Sequence, residues 1–489
     1  MKKIILVQPE NGLNSTTYAP LGLMSLAAYI WADFDVKIVD LRLTSENELY
    51  NLIKKEKPLA VGFSMLTGSC ILQVIAVSQK IKTIDPSINI ITGGIHPTFF
   101  PEQTLANPLI DFVIVSEGEK PLKSLLLALE NNTSLKEIDN LGWKENGKLR
   151  TNKITDDFLD MNELPMPAWD LIEVERYVKV LSPNSDERVI NFYTSKGCPF
   201  PCSFCYNLNF NKKKWRAKTA EKAFAELEFL HKNYNINYFI IHDDNFVVDR
   251  ARALEFARLI NNQNLKIKYS VDARVDYFDF KFLQSLKTSG LCELRVGCES
   301  GSNRVLKEVI QKGITVEQTI KAVEVAKSLD LKLMLSFVIG WPTETILERQ
   351  KTIDLILKIQ KIYSQASVYP LWIYIPYPGT ALFIKALTLG FNPPQSLGAW
   401  GSYFWGKAYL PWLKNQSEYE IIHELSPFAW YSKKLKDLNH KSFRSVIRHL
   451  AIKFFRFFII IRFKNNFWRW PIEIYTIVWL KNKLKSIHA

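Results

Sequence analysis

A chain of 489 residues, 47% of them hydrophobic, is long enough for two or three domains, each with a core of its own. Its net charge of +14 is concentrated at one end: residues 431–489 carry fourteen Lys and Arg against Asp437 and Glu473, which leaves the other 430 residues nearly neutral and excludes a nucleic-acid footprint over the main body. Six cysteines do not make a secreted disulfide framework, and the first ten residues hold too short an apolar run for a signal peptide, so a reducing cytoplasm is expected.

Short apolar, β-branched runs at 3–7, 36–40, 59–65, 88–92 and 111–116 alternate with helical stretches at 21–31, 46–55, 71–84 and 120–130. This alternation predicts an α/β domain over residues 1–135, with a doubly wound, Rossmann-like parallel sheet. Ligands of such sheets bind beyond the carboxyl ends of the strands, at a topological switch point. The loops in that position are residues 62–68 (with Ser64, Thr67), Gly93-Gly94-Ile95-His96-Pro97 and Glu117-Gly118-Glu119. Glycine lets a ligand approach the backbone closely, although tight turns alone also call for it. There is no G-x-G-x-x-G and no P-loop, which disfavours a nucleotide-binding Rossmann domain.

Residues 136–187 are weakly periodic and carry Pro165, Pro167 and Pro183, which reads as a linker. Strand–helix alternation resumes over 188–389, with strands expected at 188–193, 237–242, 266–272, 293–297, 332–339 and 366–375. Six units make a partial (β/α)6 barrel whose active residues belong at the strand C-terminal ends. Directly after the first of these strands comes Cys198-x3-Cys202-x2-Cys205. Thiolates are soft ligands, and three of them suit a cubane iron–sulfur cluster with one iron left open. Core cysteines or half of a zinc site are the alternatives, but zinc wants a fourth ligand and no second pair follows. Asp243-Asp244-Asn245 follows the second strand, Arg274 the third, Cys298-Glu299-Ser300-Gly301 the fourth, Gly340-Trp341-Pro342-Thr343-Glu344 the fifth and Pro376-Tyr377-Pro378-Gly379-Thr380 the sixth. Capping or surface pairing is as good a reading of Asp243, Asp244 and Arg274 as a role in chemistry. Cys292 and Cys298 read as core residues.

Residues 390–489 form a helical C-terminal region. Trp400, Tyr403, Phe404, Trp405, Tyr409 and Trp412 crowd one stretch, fitting either a closure over a large apolar substrate or an ordinary core. Beyond Ser442, cations are spaced among aromatics, as in residues 454–464, and no uncharged run approaches the ~20 residues a bilayer span needs. That pattern reads as an amphipathic segment at a membrane interface, peripheral on the inner face; a helical cap or a partner-binding helix are the alternatives.

The cysteine loop, with Phe204 before its last cysteine, resembles the signature of the radical S-adenosylmethionine (SAM) enzymes. Pro20-Leu21-Gly22-Leu23, Gly93-Gly94-Ile95-His96 and Glu117-Gly118-Glu119, in that order ahead of it, resemble the cobalamin-binding domain of the cobalamin-dependent members. The resemblance spans most of residues 1–385. It implies a [4Fe–4S] cluster on Cys198, Cys202 and Cys205, SAM against Phe204, Glu299 and Gly340, and cobalamin against Ser64, Thr67, Gly93, Gly94 and Glu117. Cleavage of SAM to a 5′-deoxyadenosyl radical would abstract hydrogen from a small-molecule substrate, with electrons from an external donor such as flavodoxin or ferredoxin. No acid or base catalyst is assigned. One departure is that the second strand ends Val39-Asp40-Leu41-Arg42-Leu43, without the D-x-H-x-x-G of many cobalamin proteins, so cobalt is expected without a lower histidine; His96 reads as structural. The resemblance implies methyl transfer to an unactivated carbon of a large apolar substrate. Oxidative ring closure on a tetrapyrrole side chain and a non-catalytic cobalamin or SAM sensor are the alternatives. A methylthiotransferase is disfavoured, since the N-terminal region holds only Cys70.

Overall fold

In the computed structural model the described residues are 1–10, 12, 16–183, 185–404, 406–430, 443–471 and 473. Strands β1 (Lys3–Gln8), β2 (Asp35–Asp40), β3 (Ala60–Ser64), β4 (Asn89–Gly93) and β5 (Phe112–Ile114) pair in parallel, in the order β2-β1-β3-β4-β5. Successive side chains on a strand face opposite ways. Ile5, Val7, Val61 and Phe63 therefore meet the helices Glu46–Glu56 and Cys70–Ile84, while Ile4, Leu6, Ala60 and Ile91 meet Leu21–Ile30 and Glu119–Asn131. The strands fall within two residues of their expected starts and ends.

Past residue 135 the sheet continues. β6 (Leu141–Glu145) and β7 (Lys148–Thr151) add an antiparallel hairpin beyond β5. Its two-residue turn is Asn146-Gly147, both with positive φ (51° and 76°), the pairing that matches strand twist in a tight hairpin. The stretch read as linker thus begins as part of the first sheet.

The second sheet is all parallel: β8 (Val189–Phe192), β11 (Tyr238–Ile241), β12 (Lys268–Ala273), β13 (Leu291–Glu299), β14 (Lys332–Ile339) and β15 (Ser367–Val368) lie side by side in chain order. The last predicted strand is two short pieces, β15 and β16 (Trp372–Ile373), both paired with β14. A small ribbon of β9 (Ser195–Lys196) and β10 (Arg216–Ala217) brackets the cysteine loop. On β13 and β14, Leu294, Val296, Leu333, Leu335 and Phe337 are buried against the outer helices, while Arg295, Gly297, Met334 and Ser336 are half-buried on the inner face. This is a partial barrel whose inner face carries polar, half-buried side chains.

Two of the seams that join the first sheet to the barrel differ in chemistry. One is polar: Lys196 Nζ lies 3.0 Å from Glu119 and 3.6 Å from Glu117, and Arg216 forks onto Glu117 at 2.7 and 2.9 Å. The other is aromatic: Phe100, Phe383 and Tyr403 surround Trp400, with ring centroids 4.9–6.4 Å away. Among the described residues no helix is long and apolar enough to cross a membrane.

Candidate functional site

The parallel order β2-β1-β3-β4-β5 reverses direction between β1 and β3, so the crevice for a ligand lies at their carboxyl ends. A cavity of about 250 Å³ occupies that place. Leu6, Ile91 and Ile114 floor it, and Gly22, Gly62, Gly93, Gly94 and Gly118 line it. At Gly22 a side chain would project into open space, and at Gly94 (φ +101°) a Cβ would come 2.9 Å from the Met65 carbonyl oxygen. The glycines keep this crevice open. Ser64 and Glu117 also line it, but Thr67 does not: its hydroxyl lies 3.1 Å from His96 Nδ1. His96 is fully buried, and burial alone lowers its pKa to about 4. It is a neutral core histidine beside Phe100 and Trp400.

The far wall of the cavity belongs to the barrel: Lys196, Tyr206, Phe210, Asn211 and Asp244. Asp244 accepts from the Gly197 amide at 2.8 Å and from the Tyr206 hydroxyl at 3.2 Å, and burial raises its pKa despite these bonds. Asp243 has a different task. It accepts from the amides and hydroxyls of Thr194 and Ser195 at 2.6–2.9 Å, fixing the chain's exit from β8.

That exit leads into the cysteine loop. Gly197 has φ +83°, and a Cβ there would sit 2.1 Å from the Lys214 carbonyl oxygen, so only glycine makes the turn. Ser203 pins the loop's centre, donating from its amide to Ile310 O (3.0 Å) and from Oγ to Val309 O (2.8 Å), and accepting from the Leu382 amide (2.9 Å). Cys198, Cys202 and Cys205 are unpaired thiols, and burial raises the pKa of each, that of Cys205 to about 12. Such thiols become ligands only when a cation replaces their protons. Among the described residues no three His, Cys, Asp or Glu side chains converge as a site for a metal ion.

The other predicted barrel residues gather around the same loop. Arg274 lies 3.6 Å over the Phe200 ring, reaches Cys202 Sγ at 3.9 Å and donates to Lys312 O at 2.8 Å. Lys312 in turn pairs with Glu299 at 2.7 Å and stands 5.8 Å from the Phe204 ring. Burial opposes the Lys312 charge, but the Glu299 carboxylate outweighs it and raises the pKa. Glu299 follows a β-bulge and has φ +64°; such strain persists where the surroundings over-determine it. A Cβ at Gly297 would fall 2.1 Å from Glu299 Oε1, so glycine there lets the carboxylate fold back. Phe204 meets Trp341 edge-on at 5.2 Å. Gly340 (φ +77°) donates to Glu344 at 2.6 Å and accepts from Trp412 Nε1 at 2.9 Å. The structure therefore brings the triad, Phe204, Glu299 and Gly340 together, and Ser64, Gly93, Gly94 and Glu117 together across the seam.

Comparison with known proteins agrees with this two-part arrangement. Residues 15–126 match the B12 binding domain and residues 192–356 the radical SAM superfamily. An uncharacterized methyltransferase of Pyrococcus horikoshii is 36% identical over 394 residues, covering 79% of this chain and 83% of its own. The chain belongs to the cobalamin-dependent radical SAM enzymes. Cobalamin, SAM and a [4Fe–4S] cluster are the cofactors of this family. Cytidylyl-2-hydroxyethylphosphonate methyltransferase of Streptomyces wedmorensis is 25% identical over 450 residues (81% and 83% covered), and anaerobic magnesium-protoporphyrin IX monomethyl ester cyclase of Rubrivivax gelatinosus 26% over 378 (75% and 66%). The solved structure of a cobalamin-dependent SAM radical enzyme, with aqua-cobalamin and SAM bound, superposes with a TM-score of 0.75 at 19% identity, covering 94% of this chain and 72% of that one. That likeness is one of fold.

Several residues of this radical SAM site carry no signal in the sequence. Lys312 follows the short π-helix Val305–Val309, which no spacing rule announces, and Lys196 and Arg216 find partners 77 and 99 residues away. The Asn191 amide clasps both backbone groups of Ala19 (2.8 and 3.1 Å), and Tyr18 stands edge-on to His242 at 4.4 Å. Arg295 spans Asp272, Ser270 and the Ile241 carbonyl across three strands. Together they shape the barrel's polar interior. Of the crowded aromatics, Trp400 and Tyr403 are core, Trp412 holds Gly340, Phe404 and Tyr409 face solvent, and Trp405 lies outside the described residues.

Proposed function

We propose that this enzyme transfers a methyl group to an unactivated carbon of a large apolar small molecule, after hydrogen has been removed from that carbon. The observation carrying this reading is a single cavity with the glycine-lined crevice on one wall and the flank of the cysteine loop on the other. At about 250 Å³ it is below the ~300–1,000 Å³ of a drug-sized site, so it would enclose a bound cobalamin only in part. When bound, the cluster and SAM supply a 5′-deoxyadenosyl radical and cobalamin supplies the methyl group. Cys198, Cys202 and Cys205 would hold the cluster, with Arg274 supplying positive charge beside Cys202. Phe204, Glu299 and Gly340 would hold SAM, and Lys312 would fix the direction of the Glu299 carboxylate through their ion pair. Ser64, Thr67, Gly93, Gly94 and Glu117 would position cobalamin; of these Thr67 would act from outside the cavity, through the loop it shares with Ser64. The half-buried inner face around Arg295, Met334 and Ser336 would receive the substrate.

Domain bounds of 1–135, 136–187, 188–389 and 390–489 accompany the proposal, with the β6–β7 hairpin shared between the first two. The electron donor is a flavodoxin or ferredoxin, and the enzyme works in the cytoplasm, peripheral at the membrane's inner face. Methyl-labelled SAM tests the reaction on reduced enzyme given an apolar extract of its source cells. Labelled product, with S-adenosylhomocysteine and 5′-deoxyadenosine in about equal amounts, is expected. Unlabelled product without S-adenosylhomocysteine would overturn the methyl transfer. It would instead favour oxidative ring closure on a tetrapyrrole side chain, a reading supported by the Rubrivivax gelatinosus relative.

A further inference from the structure

We infer that the outer face of the helix Phe443–Asn465, with the turn that follows it, is a docking surface for an anionic lipid bilayer. The helix is not a loose tail. Ile459, Phe463 and Trp468 are buried, and Phe463 packs on Trp430 and Trp468 with centroids 4.9 and 4.8 Å apart. Arg349 donates to Asn466 Oδ1 (2.7 Å), Gln350 to the Phe463 carbonyl (2.8 Å) and Arg456 to the Ala429 carbonyl (3.1 Å). With its inner side anchored, the helix displays the other at a fixed angle.

From residue 454 to 461 that outer side is apolar. Phe454 and Phe457 are each 62% exposed, Phe458 41% and Ile461 40%, and their spacing of three and four residues puts them on one stripe. Beyond the helix, Phe467 and Trp470 are 44% and 76% exposed. Arg462 makes them part of a set display. It pairs with buried Glu473 at 2.7 Å and donates to the carbonyls of Phe467, Arg469 and Trp470 at 2.7–3.3 Å, stapling the turn from within. A contiguous exposed patch of this kind marks an interaction surface.

Charge selects the occupant. Residues 443–472 contain no Asp or Glu, and the exposed Lys464 and Arg469 border the aromatic row. An apolar stripe with cations at its edge and aromatics at its centre suits the headgroup boundary of a bilayer rich in acidic lipid. A protein partner or a second copy would have to bring acidic groups to the same rim. The inference gives a surface to the membrane location proposed above. Lipid binding needs no turnover, so it can fail while the methyl transfer stands, and the reverse.

The test is flotation of the full-length protein with phosphatidylcholine vesicles, with and without phosphatidylglycerol, at low and high salt. The expected result is partition onto the acidic vesicles only, weakened by salt, and reduced about tenfold or more by the triple replacement F454S/F457S/F458S. These side chains are exposed, so an unchanged thermal melt verifies that the variant is folded. Equal binding to neutral vesicles, no binding, or a triple variant that binds as the native chain does would each overturn the inference. Self-association without vesicles that the same variant abolishes would assign the face to a second copy instead.

Discussion

Two of the seams that fasten the cobalamin-binding sheet to the barrel are built from opposite chemistries. The polar seam, Glu117 and Glu119 against Lys196 and Arg216, borders the cavity. The aromatic seam, His96 and Phe100 against Phe383, Trp400 and Tyr403, lies off it. Apolar packing is non-directional and holds surfaces together by area. Ion pairs with fixed geometry contribute little net adhesion when partly buried, yet they specify one register. The division suggests that the aromatic seam supplies adhesion while the polar seam sets how the crevice faces the cysteine loop.

The largest effect is expected inside that loop. Replacing Cys198, Cys202 or Cys205 by Ala should remove the cluster and all SAM cleavage, read by iron content and 5′-deoxyadenosine formation. The melt should shift by only a few degrees, because Ser203, Asp243 and Asp244 pin the loop through hydrogen bonds that need no metal. Full SAM cleavage in any of the three would sink the cluster assignment, and wholesale unfolding would show that the loop depends on its metal.

Next comes Trp400→Ala. Emptying a fully buried indole should destabilise the protein by about 3–5 kcal/mol, measured by denaturant unfolding. The molecules that remain folded should still cleave SAM normally. A selective loss of cleavage with little loss of stability would place the catalytic register in the aromatic seam and reverse the comparison.

The aromatic seam should also be the acid-sensitive one. Folded His96 has its pKa lowered to about 4 from 6.5 by burial. Below the unfolded value the unfolded chain takes up a proton that the folded chain refuses, so stability is full above pH ~6.5 and falls on acidification, by about 3 kcal/mol in all by pH ~4. Glu119 acts later. Burial pushes its pKa up, but Lys196 outweighs this and holds it below the usual carboxylate range, so its contribution is lost only as pH falls through that depressed value. His96→Leu should therefore remove this contribution between pH ~6.5 and ~4, leaving the slopes of the other groups that burial shifts, His242 and His423 downward and Glu344 upward. An unchanged profile would mean that His96 is protonated in the folded protein.

How far the sequence disclosed these seams follows from range. Cys198, Cys202 and Cys205 share a ten-residue stretch after an apolar strand, and strand periodicity located β1–β5 and β11–β14, since both signals are local. The β6–β7 hairpin was also locally signed, by Asn146-Gly147, but the prolines after it drew the whole stretch into a linker. Glu299 stands out by its place after β13, whereas its partner Lys312 does not, because no rule of spacing picks a partner across a turn. The aromatics at 400–412 announced a cluster without saying which side of the molecule it would face. Thr67 shows the limit at a single residue. It sits on the expected loop, yet its hydroxyl turns to His96, and backbone pattern does not specify that direction.

The smallest effect is also the most discriminating, and it belongs to the polar seam. Lys196→Met leaves the Glu119 carboxylate buried, with Ser25 at 2.9 Å still donating to it. A fully buried pair broken on one side costs about 3–5 kcal/mol, and an exposed pair at most about 1. Lys196 is about a quarter exposed in its side chain, so a loss near 2 kcal/mol is expected. Glu119→Gln removes the stranded charge, so the double variant should recover about 1 kcal/mol relative to the sum of the singles. If the seam sets register, cobalamin affinity should follow a different order. Both singles and the double should weaken it, because a neutral Met–Gln contact restores stability without restoring direction. Affinity that recovers in step with stability would reduce the polar seam to a second source of adhesion, and the contrast between the seams would be lost.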